Sequence, residues 1–322
     1  MRIDTMTFLN TSLTGIQSNQ TAIARLNQQI ATGLTMNATK DDPVTSVKAM
    51  ELSNRIAVRT QYAANQDKAE LDLNYETVVM KEMSSALNQA RALLVGISPS
   101  NSTSLRNVHA EQLKGVFNQI LDLANTRDPS GNYIFSGFET STVPFANTSD
   151  FATASVQPTV YSGTPTPDGV RNIEVESGRL LQANDNISNV FQFTDATIVD
   201  PVNLFDPTSH DVLQNLADAI VNLPIPGGIN DTDLKGYMDV LDKSLGQLEL
   251  IQHRIAGSLT ELKDLRATTQ ALLLNEKNAL SDMTQVDQAA AIVELQSRQT
   301  TLEAISRAYA LTSGLSLFNY LS

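Results

Sequence analysis

The 322-residue chain has no cysteine and no tryptophan, and only three histidines, His109, His210 and His253. Without cysteine there is no disulfide scaffold, no thiolate ligation of zinc or an iron–sulfur cluster, and no cysteine nucleophile. Aromatic residues make up only 5%, while hydrophobic residues reach 41%, enough for a real core. Charged residues stand at 18%, below the typical ~25% of soluble domains; Asn, Gln, Ser and Thr fill the gap. Cations are the scarcer sign, 22 Lys and Arg against 35 Asp and Glu, for a net charge of −13. Nucleic acid and anionic membranes both reward cations, so neither is an expected partner. No run approaches the ~18–20 apolar residues of a membrane span, so no membrane insertion is expected. The opening Met1-Arg2-Ile3-Asp4-Thr5 lacks the basic-then-apolar pattern of a cleaved signal peptide.

Catalytic patterns are missing as well. No Gly-x-Gly-x-x-Gly, P-loop or Gly-x-Ser-x-Gly sequence occurs, so nothing is built to cradle a phosphate or present a serine nucleophile. His109 has no acidic or histidine partner at i+4 on its helical run and reads as structural. His253 reads the same way, and His210 lies in an Asp-rich turn. Asp41-Asp42 lacks the rest of an Asp-x-Asp-x-Asp-Gly calcium loop, and helix-start chemistry accounts for it better. No catalytic residue, metal or cofactor is expected. The chain does not read as an enzyme.

What is present is unevenly placed. Residues 1–60 hold six cations and four acids, and residues 261–322 hold five and seven. Residues 141–250 hold four cations and fifteen acids, a net −11 that is nearly the whole charge. Eight of the eleven prolines lie from Pro144 to Pro226, and the last 96 residues have none. Long helices exclude proline, so the chain reads as helical ends around an acidic, proline-bearing middle.

Leu9, Ile16, Ile23 and Ile30 recur at steps of seven, the period of a supercoiled seam. The companion positions Gln20 and Asn27 are polar, which makes two strands alone a weak coiled coil. An internal helical hairpin is the bland reading of the termini; a seam shared between subunits is the preferred one. Asp41-Asp42-Pro43 predicts a helix start, with Pro in the first turn, and the pattern stays helical from Val44 to about Val95. After breakers around Pro99, Ser102 to Ser104 are candidate N-caps for a helix to about Asn125. Asp128-Pro129-Ser130-Gly131 predicts a turn, and Tyr133, Phe135 and Phe145 begin a strand-like section. Short strands are expected at Val156–Tyr161, Val170–Val175 and Leu180–Ala183. Helix resumes near Ser209. Asn230 to Thr232 can cap a very long helix to about Leu280, and a last helix follows a break at Ser281-Asp282. It carries Leu295, Leu302, Ile305 and Tyr309. The final apolar cluster, Leu315, Leu317, Phe318, Tyr320 and Leu321, needs a partner to cover it.

The expected fold is mainly α: an elongated bundle of long helices, with paired N- and C-terminal coiled-coil helices and a small β-rich domain inserted mid-chain. The expected division is 1–42 with 284–322 as a terminal coiled coil, 43–136 with 206–283 as a helical rod, and 137–205 as the β-rich outer domain.

This layout resembles the axial proteins of the bacterial flagellum. Gly33 to Asp42, small polar residues ending in Asp-Asp, is similar to the corresponding flagellin segment, but Pro43-Val44 stands where flagellins have Ala-Ala-Gly. Gly131-Asn132-Tyr133-Ile134-Phe135-Ser136-Gly137-Phe138 with Thr142-Val143-Pro144-Phe145 is similar to the Gly-x-Tyr-Ile/Leu-Phe-x-Gly…Pro-Phe signature of the hook-associated protein type 3 family. The run Ser313 to Leu321 looks like the Ser-Leu-x-x-Tyr-Leu ending of hook-associated proteins. The resemblance covers about 1–145 and 260–322, and the middle by layout.

The resemblance implies a non-enzymatic subunit of the filament-side hook–filament junction. Its implied partners are the first hook-associated protein, flagellin, its own copies in a ring and a small export chaperone. Its implied location is extracellular, on the flagellum, after passage through the flagellar type III apparatus. Leu9, Ile16, Ile23, Ile30, Leu295, Leu302, Ile305, Tyr309 and Phe318 would line an inner tube, joined in the assembly interface by Leu315, Leu317 and Leu321. Two alternatives stand beside it: a flagellin, and a secreted coiled-coil effector or adhesin binding through the acidic stretch.

Overall fold

The computed structural model describes residues 2–35, 42–98, 100–146, 151, 161–164, 169–198 and 209–321. Among them are seven helices: α1 (Arg2–Thr32), α2 (Pro43–Val95), α3 (Thr103–Ala124), α4 (Ser188–Phe191), α5 (Val212–Asn222), α6 (Asp231–Thr284) and α7 (Gln288–Leu321). Four short strands form two antiparallel pairs, β1 (Asn172–Glu176) with β2 (Arg179–Gln182) and β3 (Gln192–Thr194) with β4 (Ser209–Asp211).

The helix ends follow from local chemistry. Gly33 takes φ 72°, open to a residue without Cβ, and donates its N–H to the Gln29 carbonyl at 2.8 Å to close α1. Asp42 Oδ1 accepts the Thr45 N–H at 3.1 Å ahead of Pro43; hydrogen bonding by Thr45 holds its carboxyl below the usual range. Ser102 Oγ caps α3 through the Leu105 N–H at 3.3 Å. Asn230 and Asp233 cap α6 reciprocally. Asn230 Oδ1 accepts the Thr232 and Asp233 amides at 2.8 and 3.0 Å, and Asp233 Oδ2 accepts the Asn230 amide at 3.0 Å.

Two expectations change. Ser281-Asp282 is no break: α6 continues to Thr284, because polar residues without Pro or Gly leave the ladder intact. The chain turns at Gln285 to Asp287, where Asp287 Oδ1 caps α7 through the Ala290 amide at 3.1 Å. Nor does a strand run from Tyr133 to Phe145. Isolated bridges link Arg127 to Tyr133 and Phe145 to Tyr161. Gly131 and Gly137, at φ 87° and 68°, bend the backbone too sharply for a pleat to propagate. The strand expected at Val156–Tyr161 lies, but for Tyr161, outside the described residues.

The chain divides into two compact units, one of residues 1–60 with 270–322 and one of residues 61–269. In the second unit α2 and α6 run antiparallel. Gln66 Nε2 reaches Thr269 Oγ1 at 3.1 Å, Arg266 pairs with Asp67 at 2.9 Å and with Glu70, and Gln252 Nε2 donates to the Met80 carbonyl at 3.1 Å. One core fills this unit, with Leu73, Met80, Leu87, Phe117, Leu216 and Leu248 fully or almost fully buried. Val175, Leu181, Ile187, Val190 and Phe191, all from the stretch read as an outer domain, belong to the same cluster. In the first unit, Arg55 and Arg59 of α2 converge on the buried Glu276 of α6 at 2.7 and 3.0 Å.

Candidate assembly interface

Within the first unit, α1 and α7 form an antiparallel hairpin. At its closed end Leu34 bridges Gln285, Thr35 donates its amide to the Thr284 carbonyl at 2.8 Å, and Val286 donates to the Gly33 carbonyl at 3.0 Å. Gln29 Nε2 also reaches the Thr35 carbonyl. Farther along, Gly15 lies against Ile305, whose Cδ1 is 3.7 Å from where a Cβ on Gly15 would stand.

The deepest line of α1 differs from the expected one. Asn19 and Leu26, each 7% exposed, form its centre with Gln29, and Ala291 is buried on α7. Ile16, Ile23 and Ile30 are half-buried along one edge of that line. The stripe of period seven is real, yet it flanks the seam rather than filling it. Asn19 Nδ2 donates to the Gly15 carbonyl at 2.9 Å, while its buried Oδ1 accepts no hydrogen bond. Pattern reading missed Asn19 and Gln29 because polar side chains carry no hydrophobic signal; the seven-residue step Ser12–Asn19–Leu26–Gly33 was the only clue. Gln20 and Asn27 are exposed, so they do not weaken the seam.

On α7, Leu295, Leu302, Ile305 and Tyr309 are half-buried, and with Ala291 and Arg298 they alternate steps of four and three, which marks one helix face. Val293 and Leu311 are 65% and 70% exposed. At 3.6 residues per turn they sit on the opposite face. The hairpin leaves these two apolar side chains of α7 uncovered, on a side of the helix they share with Ser297, Thr300 and Arg307. The side chains of Leu9, Leu315, Leu317, Phe318 and Leu321 lie outside the described residues.

The Tyr-Ile-Phe segment has a structural task in the second unit. Phe135 and Phe145 are fully buried. Asn125, just past α3, clamps Phe145 from both sides, donating to its carbonyl at 2.7 Å and accepting its amide at 3.0 Å. The Phe145 ring meets Phe191 edge-on at 5.3 Å and Tyr161 at 5.2 Å. Tyr161 donates its hydroxyl to the Phe135 carbonyl at 2.6 Å, and burial pushes that phenol above its usual range. Arg127 stacks on Tyr133, 4.4 Å from the ring centre. The segment is the corner that fastens the inserted chain to α3. His210, buried on β4, faces Phe193 and contacts the Asp195 carbonyl through Nε2 at 2.7 Å, a structural placement. Among the described residues, no cluster of His, Asp and Glu could hold a metal ion, and no helix is long and apolar enough to cross a membrane.

Residues 3–140, covering α1 to α3 and most of the corner, match the family described as the bacterial flagellin N-terminal helical region. By this match the chain is similar, over somewhat less than half its length, to bacterial flagellins, which supports a structural role in the flagellum. More particularly, it is similar over nearly its whole length to flagellar hook-associated protein 3. It is 27% identical to that protein of Escherichia coli and 26% to that of Salmonella typhimurium, with 99% of each chain covered in both comparisons. The solved structure of flagellar hook-associated protein-3 from Legionella pneumophila shares the fold. It has a TM-score of 0.61 at 17% identity, covering 73% of this chain and 98% of that one.

Proposed function

We propose that this protein forms the filament-side hook–filament junction of the flagellum. Copies assemble in a ring with the first hook-associated protein on the hook side and flagellin on the filament side. The α1–α7 hairpin of each copy lines an inner tube, with Ile16, Ile23 and Ile30 and the outer face of α7 meeting neighbours. Leu9, Leu315, Leu317, Phe318 and Leu321 extend that contact. The subunit reaches the cell exterior through the flagellar type III apparatus after release from an export chaperone.

The observation that carries this reading is the end-to-end similarity to hook-associated protein 3. The half-buried stripe on α1 and the exposed Val293 and Leu311 on the outer side of α7 support it, since both leave apolar side chains for another chain to cover. The match of residues 3–140 to the flagellin region favours a second reading, a bulk filament subunit. Deletion of Leu315 to Ser322 separates the two. At a junction, cells making the truncated chain shed unpolymerised flagellin into the medium and lose swarming. Wild-type filaments on those cells refute the junction role. Growth of long filaments from the purified full-length protein on seeds alone selects the flagellin reading.

A further inference from the structure

Glu76 of α2 is an acid sealed inside the second unit, 3% exposed. Its Oε1 accepts the backbone amide of Asp185 at 2.9 Å. The Asp185 carboxylate, itself buried, pairs with Arg254 of α6 and accepts Gln182 Nε2 at 2.8 Å. Asn184, Asp185, Asn186 and Ser188 are all at most 6% exposed, so this polar run of the insert is sunk against α2 and α6. Beside it opens a cavity of about 460 Å³, whose walls include Lys68, Asp72, Glu76, Asp128 and Arg171.

We infer that Glu76 is a proton-controlled latch, holding the inserted segment 183–188 against the rod helices when protonated and loosening it when ionised. The charge pattern argues for this. Three cations belong to this cluster: Arg254 from α6 and Arg171 from the insert act on Glu76, and Lys68 from α2 lines the same cavity beside Asp72. Three carboxylates balance them: Asp185 from the insert, Asp72 from α2 and Asp128 from the corner. A proton on Glu76 leaves that set neutral, and its loss adds one uncompensated charge at a side chain only 3% exposed. Burial pushes the Glu76 carboxyl up to about 8, against the pull of Arg254 and Arg171, and burial also raises its neighbour Asp72. The cavity supplies a route by which water reaches the ionised group.

The linkage has a definite sign. The docked segment binds a proton that the undocked, hydrated Glu76 releases near its ordinary 4.5. Docking therefore weakens as pH rises from that value and stops weakening above the docked one. The test uses the full chain labelled with carboxyl-¹³C glutamate, with the Glu76 signal assigned by its absence in Glu76→Gln. The amide variant keeps an acceptor for the Asp185 N–H and cannot titrate. The Glu76 signal is expected to titrate near pH 8. From pH 6 to 8, hydrogen-exchange protection of the Asp185 amide is expected to fall by about tenfold per pH unit relative to Glu76→Gln, as one linked proton requires. A Glu76 signal that titrates in the ordinary carboxylate range overturns the latch. So does equal pH dependence of protection in the two proteins. If Glu76→Gln does not fold, assignment through Asp72 labelling contacts in the wild type still reads the titration and decides the matter.

Discussion

Replacing Asn19 with leucine probes the terminal hairpin at its least satisfied point. Asn19 sits in the centre of the α1 seam, its amide nitrogen tied to Gly15 and its Oδ1 buried without a donor. An unsatisfied buried acceptor costs ~1–3 kcal/mol, and burying a leucine side chain there adds ~1.5–3 kcal/mol. Crowding opposes this with ~1–3 kcal/mol of overpacking, since Gly15 already brings the two helices close at Ile305. The net expectation is a hairpin stabilised by about 1–3 kcal/mol, or roughly 5- to 150-fold in its opening equilibrium. The wild-type seam has few apolar residues against a backbone entropy cost of ~1–2 kcal/mol per ordered residue. In a verified monomer, protease should therefore trim about 1–40 and 285–322 of the wild type quickly, and Asn19→Leu should slow that trimming. A buried polar residue at a seam centre sets register and strand number, so the same variant should swarm less well despite its firmer hairpin. Identical trimming of wild type, Asn19→Leu and Leu26→Ala would refute the reasoning, because the seam would then contribute nothing to order in the monomer.

Phe145→Ala removes a fully buried ring that meets Phe191 and Tyr161; a loss of ~3–5 kcal/mol is expected, read by chemical denaturation followed by circular dichroism. A loss under 1 kcal/mol would show that the corner repacks freely. Gly137→Ala places a Cβ 2.9 Å from the Thr164 carbonyl oxygen at φ 68°, so it should destabilise by more than the ~1–2 kcal/mol of left-handed strain alone, whereas Gly131→Ala, with open space around it, should cost about that strain and no more.

The insert bears on how such a chain tolerates change. A solvated outer domain could be exchanged for a linker, as its charge and loop content suggest. Val175, Ile187, Val190 and Phe191 instead share one core with α2, α3, α5 and α6. Cutting them out would leave those helices with an open apolar face. Gln66 makes the dependence concrete: its Nε2 holds both the Val175 carbonyl and Thr269 Oγ1, at 2.8 and 3.1 Å, so insert and rod share a polar anchor as well.

The long helices and most of their limits were legible in the amino-acid order alone, although α6 runs through the break expected at Ser281-Asp282 to Thr284. Proline-free runs, Asp42, Ser102 and Asn230 as caps, and Gly33 as a stop act within a few residues, and local chemistry survives without the rest of the molecule. The terminal hairpin was legible as a possibility, through the step of seven from Leu9 to Ile30. Tertiary structure alone decided which face of α1 turns inward. A stripe of isoleucines satisfies several rotations of the helix, and only the close approach of α7 at Gly15 selects the one with Asn19 and Leu26 at the centre. The Tyr133–Phe145 corner had the aromatic content of a strand, and two positive-φ glycines with a clamp from Asn125 made it a turn. Glu76 carried no signal at all on a helix rich in acids. Its burial comes from a segment more than a hundred residues away, and long-range packing of that kind has no local pattern to betray it.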